Sequence, residues 1–322
     1  MNQESTFLLK NYSLFLQWKE AIARNYKILI KDIGCNAQCP FCDDWRNRQN
    51  KEKIISQAYK LLETISKEQV RFKSIEILGG EPLLVFQDII TIVEICKKAG
   101  ILISFPTNAS LLTREKIDIL IEKWLKSFTF SLDFADENHD TVRHLKWTYK
   151  KILDFTEYIQ SLWVVVKWNS IVGKFNLKNL PKFSELYKNW YSPDIHNFIA
   201  IEKNNIFSEE NLLSQEEKKE ALYKIKNIRN HFFKWRIIVN GFEENWGDLE
   251  KEKCFVPLTM RSYYITEDAI SISPCHFDSK AWVQNIENFT KKAVTEGCNL
   301  CKSSCKSQIN KTMSEAILSI KN

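Results

Sequence analysis

Three cysteines within eight residues constrain this chain more than any other feature. They stand in Gly34-Cys35-Asn36-Ala37-Gln38-Cys39-Pro40-Phe41-Cys42, a C-x3-C-x2-C spacing on one loop. Thiolates this close can hold three irons of a four-iron cluster and leave the fourth iron without a protein ligand. An open position is where a substrate or cosubstrate binds, and it separates catalytic from closed structural metal sites. The plainer readings are a zinc knuckle short of one ligand, or coincidence in a chain with 9 Cys. The loop follows a strand-like run, Tyr26–Asp32, with Ile28 and Ile30 apolar within it and Ile33 just past it.

With 322 residues the chain has room for a full core and an appended module, since roughly 200–250 residues of barrel are ordinary for one domain. A hydrophobic content of 44% with 27% charged residues excludes a disordered or fibrous chain. No apolar run approaches the roughly 20 residues needed to span a bilayer. The start, Met1-Asn2-Gln3-Glu4-Ser5, lacks the basic segment and small-residue cleavage site of a secretory signal. A cytoplasmic protein without a membrane role is expected. In that compartment clustered thiols are metal ligands rather than disulfides. The net charge of +6 is spread over helices with glutamates beside the lysines, as in Glu216-Glu217-Lys218-Lys219-Glu220, a solvated face. Without an arginine-rich arm or a glycine-aromatic motif, a nucleic-acid partner is not expected. An acidic peptide suits the charge equally well.

Short β-branched runs alternate with amphipathic stretches from residue 26 to about 235. Strands are expected at Tyr26–Asp32, Ser74–Leu78, Ile101–Thr107, Ser127–Asp133, Trp163–Ile171 and His196–Ile201. Helices are expected near 50–68, 86–99, 113–124, 138–160, 177–189 and 214–232, the second with Phe86, Ile89, Ile90, Val93 and Cys96 at helical spacing. Six strand–helix units in alternation imply a parallel sheet with helices outside. Six are too few to close an eight-fold barrel, so the fold class is α/β, an open, partial (β/α)6 TIM-like barrel. Residues 1–25 read as an N-terminal helical cap, with Phe15, Trp18, Ile22 and Ala23 on one side, and 26–235 as the barrel. From 236 to 322 the character changes to a small domain: a β-hairpin of Tyr263–Thr266 and Ala269–Ser273, further cysteines, and a short helix near 312–320.

In parallel α/β barrels the chemistry is built at the C-terminal ends of the strands. The second strand ends in Gly79-Gly80-Glu81-Pro82, two glycines that admit close backbone approach and then a carboxylate. A tight turn with Pro82 opening a helix is the alternative. The third ends in Pro106-Thr107-Asn108-Ala109, and the fourth in Ser131-Leu132-Asp133-Phe134, followed by His139-Asp140 and Arg143. Together with the cysteine loop, these segments resemble the radical S-adenosylmethionine (radical SAM) superfamily. They match its GGEP loop, its TNG segment with Ala109 for the glycine, and the SLDG…HD…R stretch of its peptide-modifying branch with Phe134 for the glycine.

The resemblance implies a partial barrel in which Cys35, Cys39 and Cys42 ligate a [4Fe–4S] cluster. SAM would be held at the open iron by Phe41, Gly79, Gly80, Glu81, Pro82, Asn108, Ser131, Asp133, Arg143 and Asn169. Ser131 and Arg143 would take its carboxylate, for which an arginine fork is suited, and Asp133 would lie near the ribose. An ordinary ion pair with Asp140 or Glu137 is the other reading for Arg143, and a plain sheet residue for Asn169. His139 reads as a structural residue at a helix start. His196, His231 and His276 lack ligand-spaced partners, and Cys96 reads as a buried structural thiol.

Cys254, Cys275, Cys298, Cys301 and Cys305 make a second set, which resembles the twitch or SPASM extension carrying auxiliary clusters. A complete SPASM domain supplies more cysteines than these five, so one auxiliary [4Fe–4S] cluster is expected, with either Cys301 or Cys305 as a ligand. A closed zinc site is the alternative. The resemblance implies an oxidoreductase or maturase that crosslinks a ribosomally synthesised peptide, served by a reductant such as flavodoxin or ferredoxin. About 25 residues precede the first strand, too few for a leader-binding domain, so a separate partner or the barrel itself would recognise the peptide. The alternatives are a dehydrogenase of a small molecule such as a sugar or aminocyclitol, and a peptide epimerase. A non-catalytic electron carrier has no use for an open iron. Asp278 and His276 follow Cys275, but no acid or base is identified.

Overall fold

The computed structural model describes residues 21–188, 191–201, 209–230, 236–240 and 260–273. The outermost expectations, the cap over residues 1–20, all five cysteines of the second set, and the helix near 312–320, lie outside the described residues.

The expected alternation is present. Strand β1 (Ala21–Ile30) is followed by helix α1 (Lys51–Lys67), β2 (Val70–Gly79) by α2 (Phe86–Lys98), and β3 (Ile101–Ser104) with β4 (Pro106–Thr107) by α3 (Arg114–Glu122). Then β5 (Ser127–Ser131) leads to α4 (Asn138–Arg143) and α5 (Thr148–Ser161), β6 (Val165–Val172) to α6 (Lys182–Lys188), and β7 (Ile195–Ala200) to α7 (Gln215–Asn230). Strands β8 (Arg236–Asn240), β9 (Met260–Ile265) and β10 (Ile270–Ser273) complete the order. They form two five-stranded sheets, β10-β9-β1-β2-β3 and β4-β5-β6-β7-β8, parallel except for the β9–β10 hairpin. The two sheets run on from each other where the third barrel strand is interrupted at Phe105. The architecture is an α/β partial TIM-like barrel.

Burial alternates along the strands, and that alternation builds the helix layer. Tyr26, Ile28 and Ile30 of β1 and Ile75 and Ile77 of β2 are buried, as are Ile54, Ala58, Leu61, Leu62 and Ile65 of α1 and Ile89, Ile92, Val93 and Cys96 of α2. Each such aliphatic side chain contributes about 1.5–3 kcal/mol on leaving water. The opposite faces of the same strands line the barrel interior and are half-buried.

Four sequence expectations are corrected. The first strand begins at Ala21, so residues 21–25 pair with β2 (Ala21 opposite Val70) and are no helical cap. The helix expected over 138–160 is two helices, because His144 and Trp147 take left-handed backbone (φ 53° and 65°) and turn the chain between them. That over 177–189 is a 3-10 turn, Leu177–Asn179, and then α6, with Pro181 between them unable to supply an amide hydrogen. The hairpin forms as expected, but β9 pairs in parallel with β1, so it extends the barrel sheet. Strand β8, just past the expected barrel boundary, pairs with β7 and was missed, although Ile237-Ile238-Val239 is a β-branched run.

Candidate functional site

Strand β1 ends in a 3-10 turn, Lys31–Ile33, and the cysteine loop follows. The loop is held by backbone bonds from elsewhere in the barrel: Gln38 N donates to Arg143 O (3.0 Å) and Gln49 N to Asp32 O (2.8 Å). Cys39 is buried, Cys35 and Cys42 half-buried, and all three thiols are free. Burial pushes each thiol above its ordinary range, that of Cys39 up to about 11, with Cys35 adding to the rise of Cys39 and both adding to that of Cys42. The three sulfurs are not drawn round one ion. Among the described residues the one group with ligand atoms all within 4.8 Å is Cys42, Asp43 and Asp44. A single tetrahedral zinc at about 2.3 Å from each sulfur would bring all three thiols closer than that. Three thiolates on one loop fit three irons of a four-iron cluster.

The two glycines after β2 have a structural reason. Gly79 has φ 130°, and a Cβ there would sit 2.6 Å from Lys31 N. At Gly80 a Cβ would lie 1.8 Å from Gly34 O. The β2 loop thus presses backbone to backbone on the cysteine loop, and Glu81 N donates to Gly34 O (3.0 Å). Glu81, 2% exposed, works as a strut. One carboxylate oxygen accepts from Leu83 N (3.0 Å) and Thr107 Oγ1 (2.7 Å), the other from Asn108 N (2.9 Å). Burial raises its pKa, and those bonds with Arg143 oppose the rise. Pro82 opens the 3-10 turn Pro82–Val85.

Asn108 reaches the cluster loop. Its Nδ2 donates to Asn36 Oδ1 (2.9 Å) and lies 3.9 Å from Cys35 Sγ, while its Oδ1 accepts from Ser110 N (2.9 Å) and Oγ (2.6 Å). Ala109, in the glycine position of the resembled motif, keeps the left-handed backbone (φ 62°).

Asp133 and Arg143 form a buried pair, Arg143 Nε donating to Asp133 Oδ2 at 2.8 Å. The surface ion pair with Asp140 or Glu137 is therefore replaced by a buried one. Asp133 is clamped at every polar atom: Oδ1 accepts from Ile171 N (2.9 Å), O accepts from Asn176 Nδ2 (2.9 Å), and N donates to His139 Nδ1 (3.2 Å). Neither Asn176 nor this use of His139 was foreseen; neither carries a local sequence signal. Burial opposes the charge of Arg143, but Asp133, Cys39 and Cys35 outweigh it and hold the guanidinium charged. Among the described residues its Nη1 and Nη2 make no hydrogen bond.

Ser131, Asn169 and Asn197 stand side by side on β5, β6 and β7. Asn197 Nδ2 donates to Asn169 Oδ1 (2.7 Å), which leaves the Asn169 amide hydrogens to point elsewhere. Phe41 stacks on Phe175 (5.1 Å), Phe134 tilts against Phe175 (5.8 Å), and Arg143 lies 5.8 Å from the Phe41 ring centroid. Phe134, where the resembled motif has glycine, completes an aromatic wall. The residues expected at the cysteine loop and strand ends thus meet at one end of the barrel. His139 is buried at the start of α4, as expected. His196 is buried too, between Ser170 Oγ (2.7 Å from Nε2) and the Tyr187 hydroxyl at Nδ1.

Residues 33–184 match the family model of the radical SAM superfamily. Over 155 residues, 47% of this chain and 40% of the relative, the sequence is 24% identical to a PqqA peptide cyclase of Bradyrhizobium diazoefficiens. Over 124 residues, 38% of this chain and 35% of the relative, it is 29% identical to an AdoMet-dependent heme synthase of Methanosarcina barkeri. The matched region thus spans less than half the length of either curated relative. The fold is similar to SuiB of Streptococcus suis bound to S-adenosylmethionine, with a TM-score of 0.64 and 15% identity over 90% of this chain and 70% of that one. The cysteine loop, the glycine turn and the Asp133–Arg143 pair all fall inside the segment, residues 33–184, that matches the radical SAM superfamily.

Proposed function

We propose that the protein is a radical SAM enzyme that oxidatively crosslinks a ribosomally synthesised peptide. One observation carries the first half of the reading. Arg143 is buried, locked by Asp133, and carries two uncommitted terminal amino groups beside the thiols of Cys35 and Cys39. Cys35, Cys39 and Cys42 would hold a [4Fe–4S] cluster, and SAM at its open iron supplies a 5′-deoxyadenosyl radical that removes hydrogen from the substrate. Arg143 takes the SAM carboxylate through its fork, with Ser131 and the free amide hydrogens of Asn169 beside it. Gly79, Gly80 and Pro82 fix the loop that offers backbone carbonyls to an ammonium group. Glu81 and Asp133 set this geometry rather than change partners. Asn108 steadies the cysteine loop, and Phe41 with Phe134 and Phe175 excludes water.

Cys254, Cys275, Cys298 and one of Cys301 and Cys305 are assigned to one auxiliary [4Fe–4S] cluster that takes up the electron an oxidation leaves behind. A flavodoxin or ferredoxin serves as reductant, which places the enzyme in the cytoplasm. Among the described residues no helix is long and apolar enough to cross a membrane. Support for a peptide substrate comes from the similarity to the PqqA peptide cyclase and from the fold of SuiB, also solved with its precursor peptide SuiA. The similarity to the heme synthase favours a second reading, oxidation of a small molecule. Epimerisation needs a thiol hydrogen donor and is less favoured for Cys96, which is buried on α2 among the helix-layer residues.

The test uses peptides encoded by short reading frames beside the gene, incubated anaerobically with SAM and reductant. A peptide lighter by two hydrogens, formed in step with 5′-deoxyadenosine, is the expected result. An unchanged peptide mass beside a dehydrogenated small molecule moves the assignment to the second reading.

A further inference from the structure

A closed parallel barrel fills its interior with layers of bulky branched side chains. In this barrel part of the interior face is polar. Trp168 of β6 turns toward the helices, where its Nε1 donates to Thr156 Oγ1 of α5 (3.0 Å). Its neighbours Lys167 and Asn169 therefore face the interior, and the alternation of buried and half-buried residues along β6 continues that pattern. Strand register sets two rows of interior residues. The upper row contains Ser131 and Asn169, already placed at the cosubstrate. The row two residues below contains Thr129 opposite Lys167 and Lys167 opposite Ile195, with Pro106 on the other side of Thr129. At about 3.3 Å per residue the two rows are some 6–7 Å apart.

Lys27 and Glu76 neutralise each other across β1 and β2 at 3.1 Å. Lys167, half-buried on the far wall, makes no ion pair or hydrogen bond among the described residues. Of the interior charges Lys27, Glu76 and Lys167, Lys167 is the one without a counterion among the described residues. A half-buried ammonium group in a polar chamber is a ready partner for one carboxylate.

We infer that the barrel interior holds an anion subsite at Lys167, which seats an acidic side chain of the substrate one row below the cosubstrate. The inference rests on the peptide reading above and names the kind of residue that reading would select. Thr129, opposite Lys167, supplies a hydroxyl to the same group. The subsite holds the carboxylate and so sets which neighbouring C–H bond lies nearest the upper row.

The probes are N-acetyl-glutamate N-methylamide and its glutamine counterpart, titrated into the reconstituted full-length protein by ligand-observed NMR. The glutamate probe is expected to bind the parent about tenfold more tightly than the glutamine probe, the scale of one charge-assisted hydrogen bond that keeps some solvent. Lys167→Met removes that preference and Lys167→Arg retains it, which separates a lost charge from a lost fold. Equal binding of both probes to the parent, or a preference that survives Lys167→Met, overturns the subsite. Release of 5′-deoxyadenosine by the parent is measured separately. Release without probe preference overturns the subsite and leaves the radical SAM reading standing, whereas preference without release overturns that reading and supports the subsite.

Discussion

At the scale of single residues the site rests on two buried carboxylates, Glu81 and Asp133, whose oxygens all have partners. Asp133 is 1% exposed and Arg143 7%, so removing one partner leaves the other charge buried without compensation. Asp133→Ala should destabilise the protein by about 3–5 kcal/mol in chemical denaturation, whereas Asp133→Asn should cost less because its amide can still accept from Ile171 N. Ala109 points the other way. It is fully buried with φ 62°, a conformation that costs an L-residue about 1 kcal/mol, and Ala109→Gly should raise stability by nearly that amount. A fall in melting temperature for this variant would contradict the strain. Gly80→Ala has no such freedom: its Cβ would occupy the Gly34 carbonyl. A loss of at least about 3 kcal/mol is expected, together with poor iron loading after reconstitution, because the cysteine loop must move.

At the scale of elements, the helices were legible wherever their apolar spacing stayed local, as with α1 and α2. Misreadings arose where a backbone feature without a strong sequence mark intervened: the left-handed turns at His144 and Trp147, and the break at Phe105. Pairing was less legible still. That Met260–Ile265 would add to the edge of β1 depends on residues more than two hundred positions apart. The contact has anchors. Tyr264 OH donates to Asp32 (3.1 and 3.2 Å), and Glu267 meets Asn50 N and Gln49 at the far end of the cysteine loop. The layer beneath β5 to β7 depends on a second network. Tyr187 donates to His196 Nδ1, His196 Nε2 to Ser170 Oγ, and Ser170 to Leu132 O.

This network predicts a pH response. Burial lowers the His196 pKa from 6.5 to about 3, and burial also lowers that of His139, with Arg143 adding to the effect. Above pH 6.5 both states of each histidine are neutral and stability is unaffected. As the pH falls below 6.5 the unfolded chain takes up protons that the native one refuses, so stability declines by up to about 1.4 kcal/mol per pH unit for each histidine. His196→Gln should be less stable at pH 7 but should lose roughly half as much between pH 6.5 and 5, read from denaturation midpoints. An unchanged slope would assign the acid sensitivity elsewhere.

At the scale of the whole molecule, the radical SAM match over residues 33–184 was legible because the motifs are short and lie at strand ends in a fixed order. The bonds that hold the motif residues were not: the partners of the Glu81 and Asp133 carboxylates include residues of distant strands, and Asn176 and Asn197, which bond Asp133 and Asn169, have no motif at all. The measurement that tests the central assignment most directly is anaerobic reconstitution followed by SAM cleavage with a chemical reductant. The parent is compared with a Cys35→Ala/Cys39→Ala/Cys42→Ala variant. The expected parent carries about eight irons, four for each of two clusters, and releases 5′-deoxyadenosine, while the variant retains about four and releases none. A parent with a full cluster at the cysteine loop but no 5′-deoxyadenosine, or a variant that still releases it, would contradict the assignment.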